Sequence, residues 1–161
     1  MRISLPLFML VVLLSACEQE PVSDWKPFSL LKYGVPLTIL APDSVKVEQM
    51  DLIVKKDIEL KKGDDYYIQL FAADATTTDV AAIKAAQQAN VESNPYFSKI
   101  IEEKDDGFIY QTAVDTANVN YSFRRILVVG DREYIFQTGL VGKFSLEDVM
   151  RMYEAIDPKL N

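Results

Sequence analysis

Two turn signals inside a long apolar tract constrain this chain more than anything else in it. Asp105-Asp106-Gly107 separates residues 97–104 from 108–113, and Gly130-Asp131 separates 121–129 from 133–140. A glycine beside an aspartate between apolar runs favours a tight reversal, because glycine supplies the positive φ that short hairpin turns require. The spacing therefore predicts two successive hairpins and an antiparallel sheet. Treating Gly130-Asp131 as a two-residue turn pairs Val129 with Arg132 and Leu127 with Tyr134. That register puts Phe123, Arg125 and Phe136 on one face and Ile126 and Ile135 on the other, so the sheet needs cover on both sides.

The rest of the chain supplies strands and the cover. Runs 28–33 and 36–41, joined at Gly34-Val35 and closed by Pro42-Asp43-Ser44, read as an opening strand pair. Short apolar pieces at 45–47, 52–54 and 58–60 follow, punctuated by lysine-rich turns whose charges discourage edge pairing. Residues 66–72 alternate as a strand, with Tyr66, Ile68 and Leu70 on one face and Tyr67, Gln69 and Phe71 on the other. Thr76 and Asp79 cap an alanine-rich helix over 80–91, with Val80, Ile83, Ala86 and Ala89 towards the sheet, and Asn94-Pro95 ends it. A closing helix is signalled by a capping box of Ser145 with Asp148 and a staple of Phe144 with Val149. Its apolar stripe is Leu146, Val149, Met150, Tyr153 and Ile156, and Pro158 marks its end. The expected class is α+β, an antiparallel β-sheet with helices packed on both faces.

The amino-terminal segment follows a different logic. Arg2 precedes an apolar run from Ile3 to Leu14, and the small residues Ser15 and Ala16 follow. This is shorter than the roughly 20 residues a spanning helix needs and reads as a removed export signal. Leu14-Ser15-Ala16-Cys17 resembles the lipobox of bacterial lipoproteins. The resemblance implies signal-peptidase cleavage between Ala16 and Cys17, a diacylglycerol on the Cys17 thiol and acylation of the new amine. Several chains anchor firmly, since each buried CH₂ contributes about 0.8 kcal/mol. By Gram-negative sorting, Glu18 in place of aspartate implies the periplasmic face of the outer membrane over the inner membrane. The layout is then a signal peptide at 1–16, a lipidated N-terminus and tether at 17–27, and a single α+β domain at 28–161. Trp25 interrupts the polar tether and is expected to pack on the domain instead of sitting in the headgroup layer.

The order of elements in the mature chain is similar to the Mog1/PsbP-like fold. The carrying segments are Tyr33-Gly34-Val35-Pro36-Leu37-Thr38-Ile39-Leu40-Ala41-Pro42, the hairpin 121–140 and the helical stretch 144–156. The resemblance implies an α/β/α sandwich of the kind used by DcrB-type envelope lipoproteins. Where that family often carries a tryptophan after the opening strand's proline, this chain has Asp43-Ser44-Val45. Its members range from photosystem accessory factors to transport cofactors and secretion chaperones, so the fold does not choose a function.

Composition excludes more than it includes. The chain has no histidine and one cysteine, which the lipobox reading assigns to lipid. That removes Ser-His-Asp and Cys-His nucleophile systems, Cys/His zinc sites and intramolecular disulfides. The formal charge is −7, with basic pairs scattered at Lys55-Lys56, Lys61-Lys62 and Arg124-Arg125, a surface that repels nucleic acid. Asp105-Asp106-Gly107 and Asp64-Asp65 lack the alternating acidic spacing of a calcium loop and read as turn residues. Arg124 and Arg125 point to opposite faces, each expected to meet a carboxylate or cover apolar surface in preference to clamping an anion. The aromatic residues alternate at strand spacing and read as core. No catalytic, cofactor-binding or metal-binding residue is assigned, and Cys17 is the one modification site. The expected function is a non-enzymatic, lipid-anchored module that binds a protein partner or aids assembly in the cell envelope. The alternatives are a carrier of lipid or another apolar molecule there and, last, a hydrolase using carboxylate and tyrosine groups.

Overall fold

The computed structural model describes residues 24–160. The expected signal peptide, the expected cleavage site at Ala16 and Cys17, and the expected lipidation site Cys17 lie outside the described residues.

Strands β1 (Lys26–Ser29) and β2 (Thr38–Ala41) form a two-stranded antiparallel ribbon. Strands β3 (Lys46–Asp51), β4 (Lys55–Lys62) and β5 (Tyr66–Asp74) lead into helix α1 (Val80–Glu92). Then come β6 (Phe97–Lys104), β7 (Gly107–Ala113), β8 (Val119–Val129), β9 (Arg132–Thr138) and helix α2 (Leu146–Glu154). The large sheet has seven strands in the order β3-β4-β5-β9-β8-β7-β6, every pairing antiparallel. The chain is thus α+β, as the turn signals imply.

The β8–β9 hairpin has the expected register, Val129 opposite Arg132 and Leu127 opposite Tyr134, with Gly130 at φ 63°. Glycine first in a two-residue loop matches the type II′ geometry that suits strand twist. The other hairpin differs. Lys104 pairs with Gly107, so the loop is Asp105-Asp106 and Gly107 already belongs to β7. Glycine is needed there for space: a β-carbon would run into the Arg124 carbonyl and stand 2.8 Å from the Tyr153 hydroxyl.

Adjacent strand residues identify the two covers. Ile109 and Phe123 point towards α2, whose Val149, Met152 and Tyr153 are buried with them and with Leu30, Leu37 and Ile39 of the β1–β2 segment. The ribbon and α2 are tied directly by the Leu40 N–H donating to the Ala155 carbonyl at 2.8 Å. Phe108 and Tyr110 point the other way and bury Val91 of α1, with Phe97 and Ile100 beside them.

Several local expectations give way to packing. Residues 31–33 form a 3-10 turn ended by Gly34 at φ 74°, not strand. Lys26 and Pro27, read as tether, are in β1, and Trp25 packs edge-on to Tyr66 at 4.8 Å. Residues 52–54 are the β3–β4 loop. The α1 cap is Asp79 alone, accepting from the Ala82 N–H at 3.1 Å, with no role for Thr76 in it. Ile83 and Val91 are the buried residues of α1 while Ala86 and Ala89 are exposed, and Val91 fills the space above Phe108 and Tyr110. The Ser145–Asp148 capping box is present, and the staple residues Phe144 and Val149 are both buried. In α2 it is Met152, not Met150, that is buried, its sulfur accepting the Tyr67 N–H at 3.3 Å.

Candidate functional site

Arg124 and Arg125 do point to opposite faces, and each meets a different environment. Arg125 is buried under α2. Its Nε donates to Asp106 Oδ2 at 2.9 Å, one Nη donates to the Tyr153 carbonyl at 2.8 Å, and its guanidinium lies 4.5 Å from the Tyr153 ring centre. The Tyr153 hydroxyl donates to the other Asp106 oxygen at 2.6 Å. Burial, that hydrogen bond and the nearby carboxylate all push the Tyr153 phenol well above its ordinary range. Asp106, considered above as a calcium corner, is therefore occupied in fastening the β6–β7 turn to β8 and α2. Among the described residues, no three acidic or other metal-ligating side chains converge. Asp64 and Asp65 stand exposed in the β4–β5 turn.

Arg124 lies across the sheet, with its guanidinium 5.8 Å from the Tyr110 ring centre. Its Nε is buried and makes no hydrogen bond among the described residues, and one Nη donates to the Phe123 carbonyl at 3.4 Å. Burial pulls this guanidinium below the usual arginine range, with Tyr110 acting in the opposite sense. Arg124 also ends a row that sequence reasoning missed. Glu48 pairs with Glu59, Glu59 with Gln69, Gln69 with Gln137 and Gln137 with Arg124, so five polar residues stand in register across β3, β4, β5, β9 and β8. Gln137 Nε2 donates to Gln69 Oε1 at 2.8 Å, and Gln69 Nε2 donates to Asp57 at 3.0 Å and to Glu59 at 3.4 Å. Glu59 also accepts from the Tyr67 hydroxyl. Burial raises the carboxyl of Asp57 above its ordinary value, and burial with the Glu59 hydrogen bond does the same to the Tyr67 phenol.

Chemically, the two glutamines at the centre of the row are satisfied by their neighbours, while Arg124 at its inner end keeps a buried Nε without a hydrogen bond among the described residues. Each buried amide has a partner, as buried polar groups require, and Tyr67 stays a neutral donor. This half of the face, expected to be apolar because of Tyr67 and Phe71, is covered by its own hydrogen-bonded side chains, while α1 covers the β6–β8 half. The outer end opens into a depression of about 250 Å³ lined by Lys46, Glu48, Glu59, Lys61 and Tyr67. Two other depressions, about 450 and 220 Å³, also have charged walls, which suit an apolar cargo poorly.

Exposed apolar side chains cluster at the two ends of the sheet, while Leu31, Met50 and Met150 stand exposed elsewhere. At one end, the β3–β4 loop projects Leu52, Ile53 and Val54, with Ile53 at 105% relative exposure and Val54 at 79%. Lys55 and Lys56 follow, and Lys56 Nζ is held by the Tyr33 carbonyl at 2.7 Å. The loop flanks the 450 Å³ depression, where Asp74 and Arg132 also lie. At the opposite end, the loops after β7 and β9 expose Val114, Leu140 and Val141. Sequence reasoning placed 52–54 and Leu140 in strands, since β-branched and aliphatic residues favour strands and no glycine or proline marks the 52–54 loop. The clue available was the lysine pair after Val54.

Comparisons with family models, with curated proteins and with solved structures each gave no match to this chain.

Proposed function

We propose that this chain is a lipid-anchored lipoprotein of the bacterial cell envelope whose folded domain binds a protein partner and performs no catalysis of its own. The anchor half of the reading rests on the lipobox pattern Leu14-Ser15-Ala16-Cys17, and Glu18 favours the periplasmic face of the outer membrane. The finer Mog1/PsbP-like assignment is supported by the ribbon, the antiparallel sheet and a helix on each face. The observation that carries partner binding is the projecting Leu52-Ile53-Val54 loop, three consecutive exposed apolar residues backed by two lysines. Isolated exposed hydrophobes are ordinary, but clustered ones rimmed by charge mark interaction surfaces.

Two measurements test the halves separately. Cys17→Ser should abolish the acyl mass on the N-terminal peptide and release the protein from membranes; continued acylation overturns the anchor. A photo-crosslinking residue replacing Ile53, expressed at native level, should yield a discrete protein adduct. No adduct at position 53 overturns partner binding through this loop.

A further inference from the structure

The sheet's two ends differ in their relation to the point where the chain enters the fold. Asp24 is held by Arg151 at 2.8 Å, and the Arg151 guanidinium lies 4.3 Å from the Trp25 ring centre. Trp25 meets Tyr66 at the start of β5, beside the Gly63–Asp65 turn. The strand directions bring the loops after β7 and β9 to this same end. Asn120 joins them, its side chain donating to the Gly142 carbonyl at 3.1 Å and accepting from the Phe144 N–H at 2.7 Å. Val114 is 69% exposed, Leu140 79% and Val141 76%. Lys61, Lys143 and one carboxylate, Asp64, share a depression with Val141, leaving it net basic. The Leu52-Ile53-Val54 loop lies at the far end of β4 and β5.

We infer that the Val114, Leu140 and Val141 end rests on the phospholipid surface that holds Cys17, with Leu140 and Val141 dipping into the headgroup layer and Lys61 and Lys143 beside the phosphates. This rests on the lipid-anchor reading above. Length decides between the two apolar ends. The seven steps from Cys17 to Asp24 reach at most about 24 Å fully extended. The nine residues of β5 separate the ends by about 30 Å. With Ile53 on the lipid, Asp24 would stand beyond the reach of its own tether. With Leu140 and Val141 on the lipid, the tether has slack. Exposed aliphatic side chains and basic groups are the combination that binds an interface, typically buried about 5–10 Å deep. The opposite loop is then presented away from the membrane, where a partner protein can meet it.

Acylated Cys17 carries no free thiol, so Val141→Cys and Ile53→Cys each give the full-length lipoprotein one labelling site on an exposed loop. Each is labelled with an environment-sensitive fluorophore and reconstituted into phosphatidylethanolamine and phosphatidylglycerol vesicles containing lipids brominated along their chains. The expected result is a blue shift and quenching of about twofold or more at position 141, as interfacial burial gives, with no quenching at 53. Equal quenching, or stronger quenching at 53, overturns the orientation. The mass of the N-terminal peptide separates the two claims: an acylated chain unquenched at 141 sinks the orientation alone, whereas an unacylated chain sinks the anchor and the orientation with it.

Discussion

The Asp106–Arg125–Tyr153 cluster makes the sharpest energetic prediction. Asp106→Ala removes the acceptor of both the Arg125 Nε–H and the Tyr153 hydroxyl. Arg125 is 8% exposed, so the charge left behind cannot reach water unless α2 lifts from the sheet. A hydrogen bond to a charged group contributes about 1.5–3 kcal/mol, and orphaning a buried charge costs about 3–5 kcal/mol. Two features bring the figure to the lower end. The Asp106 side chain is 26% exposed, and Arg125 keeps its bond to the Tyr153 carbonyl. About 3 kcal/mol is therefore expected. For a domain of roughly 140 residues, with an unfolding entropy of about 2.1 cal/mol/K per residue, that lowers Tm by about 10 °C. Thermal and urea unfolding followed by circular dichroism would measure it. Asp106→Asn keeps one acceptor and should lose about half as much. Tyr153→Phe should cost about 1 kcal/mol, and a double-mutant cycle with Asp106→Ala should give a coupling near 1 kcal/mol, because both remove the same bond. A Tm shift under about 3 °C for Asp106→Ala would mean a solvent-screened pair of the ordinary surface kind, and the claim that it fastens the turn to α2 would be wrong.

Gly107→Ala and Gly130→Ala separate two uses of glycine. At Gly107 the new methyl meets backbone, and a loss of about 3 kcal/mol is expected; at Gly130 the space is open and only the positive φ is penalised, about 1 kcal/mol, so equal losses would contradict the assignment. Alkaline pH should also destabilise the fold. The Tyr153 phenol is raised by burial and Asp106, and a group raised in the folded state gives its full stability below its unfolded value near pH 10 and loses it as pH climbs towards the folded value. Urea midpoints should fall between about pH 9.5 and 11, and fall less steeply in Tyr153→Phe; identical slopes would rule the phenol out.

What could be read from residues alone was whatever depends on near neighbours. The β8–β9 register follows from Gly130-Asp131 and the alternation on either side of it, and the α2 start follows from Ser145 and Asp148, which bond each other. Gly107 was legible as a turn marker but not as a spacing requirement, because the atoms that demand it belong to β8 and α2. The pairing of Arg125 with some carboxylate was foreseeable from an arginine in an apolar strand. That the carboxylate is Asp106 depends on a turn folding back over β8. The row from Glu48 to Arg124 was least legible, since Gln69 and Gln137 look like solvent-facing breaks in two apolar strands until β5 and β9, far apart in sequence, are laid side by side in register.

Under the proposed lipid anchoring, helix α2 joins stability to placement at the membrane. Its Tyr153 is tied to Asp106 and Arg125, and its Arg151, two residues earlier, holds Asp24 and stacks on Trp25. Under that anchoring, a tether pulling on Asp24 would load, through an exposed ion pair, a helix already fixed to the sheet by a buried charge cluster, besides loading the four-residue strand β1. Ribbon β1–β2 alone would be a weak point of attachment, since an isolated two-stranded pair has marginal stability. Its bond from Leu40 to the Ala155 carbonyl just past α2 ties the ribbon to the end of the helix. Loosening the Asp106 cluster should then do more than lower Tm: it weakens the seat that holds Trp25 and with it the geometry proposed between the anchor and the Leu140–Val141 surface. Fold stability and the proposed orientation on the lipid would in this way be carried by the same side chains.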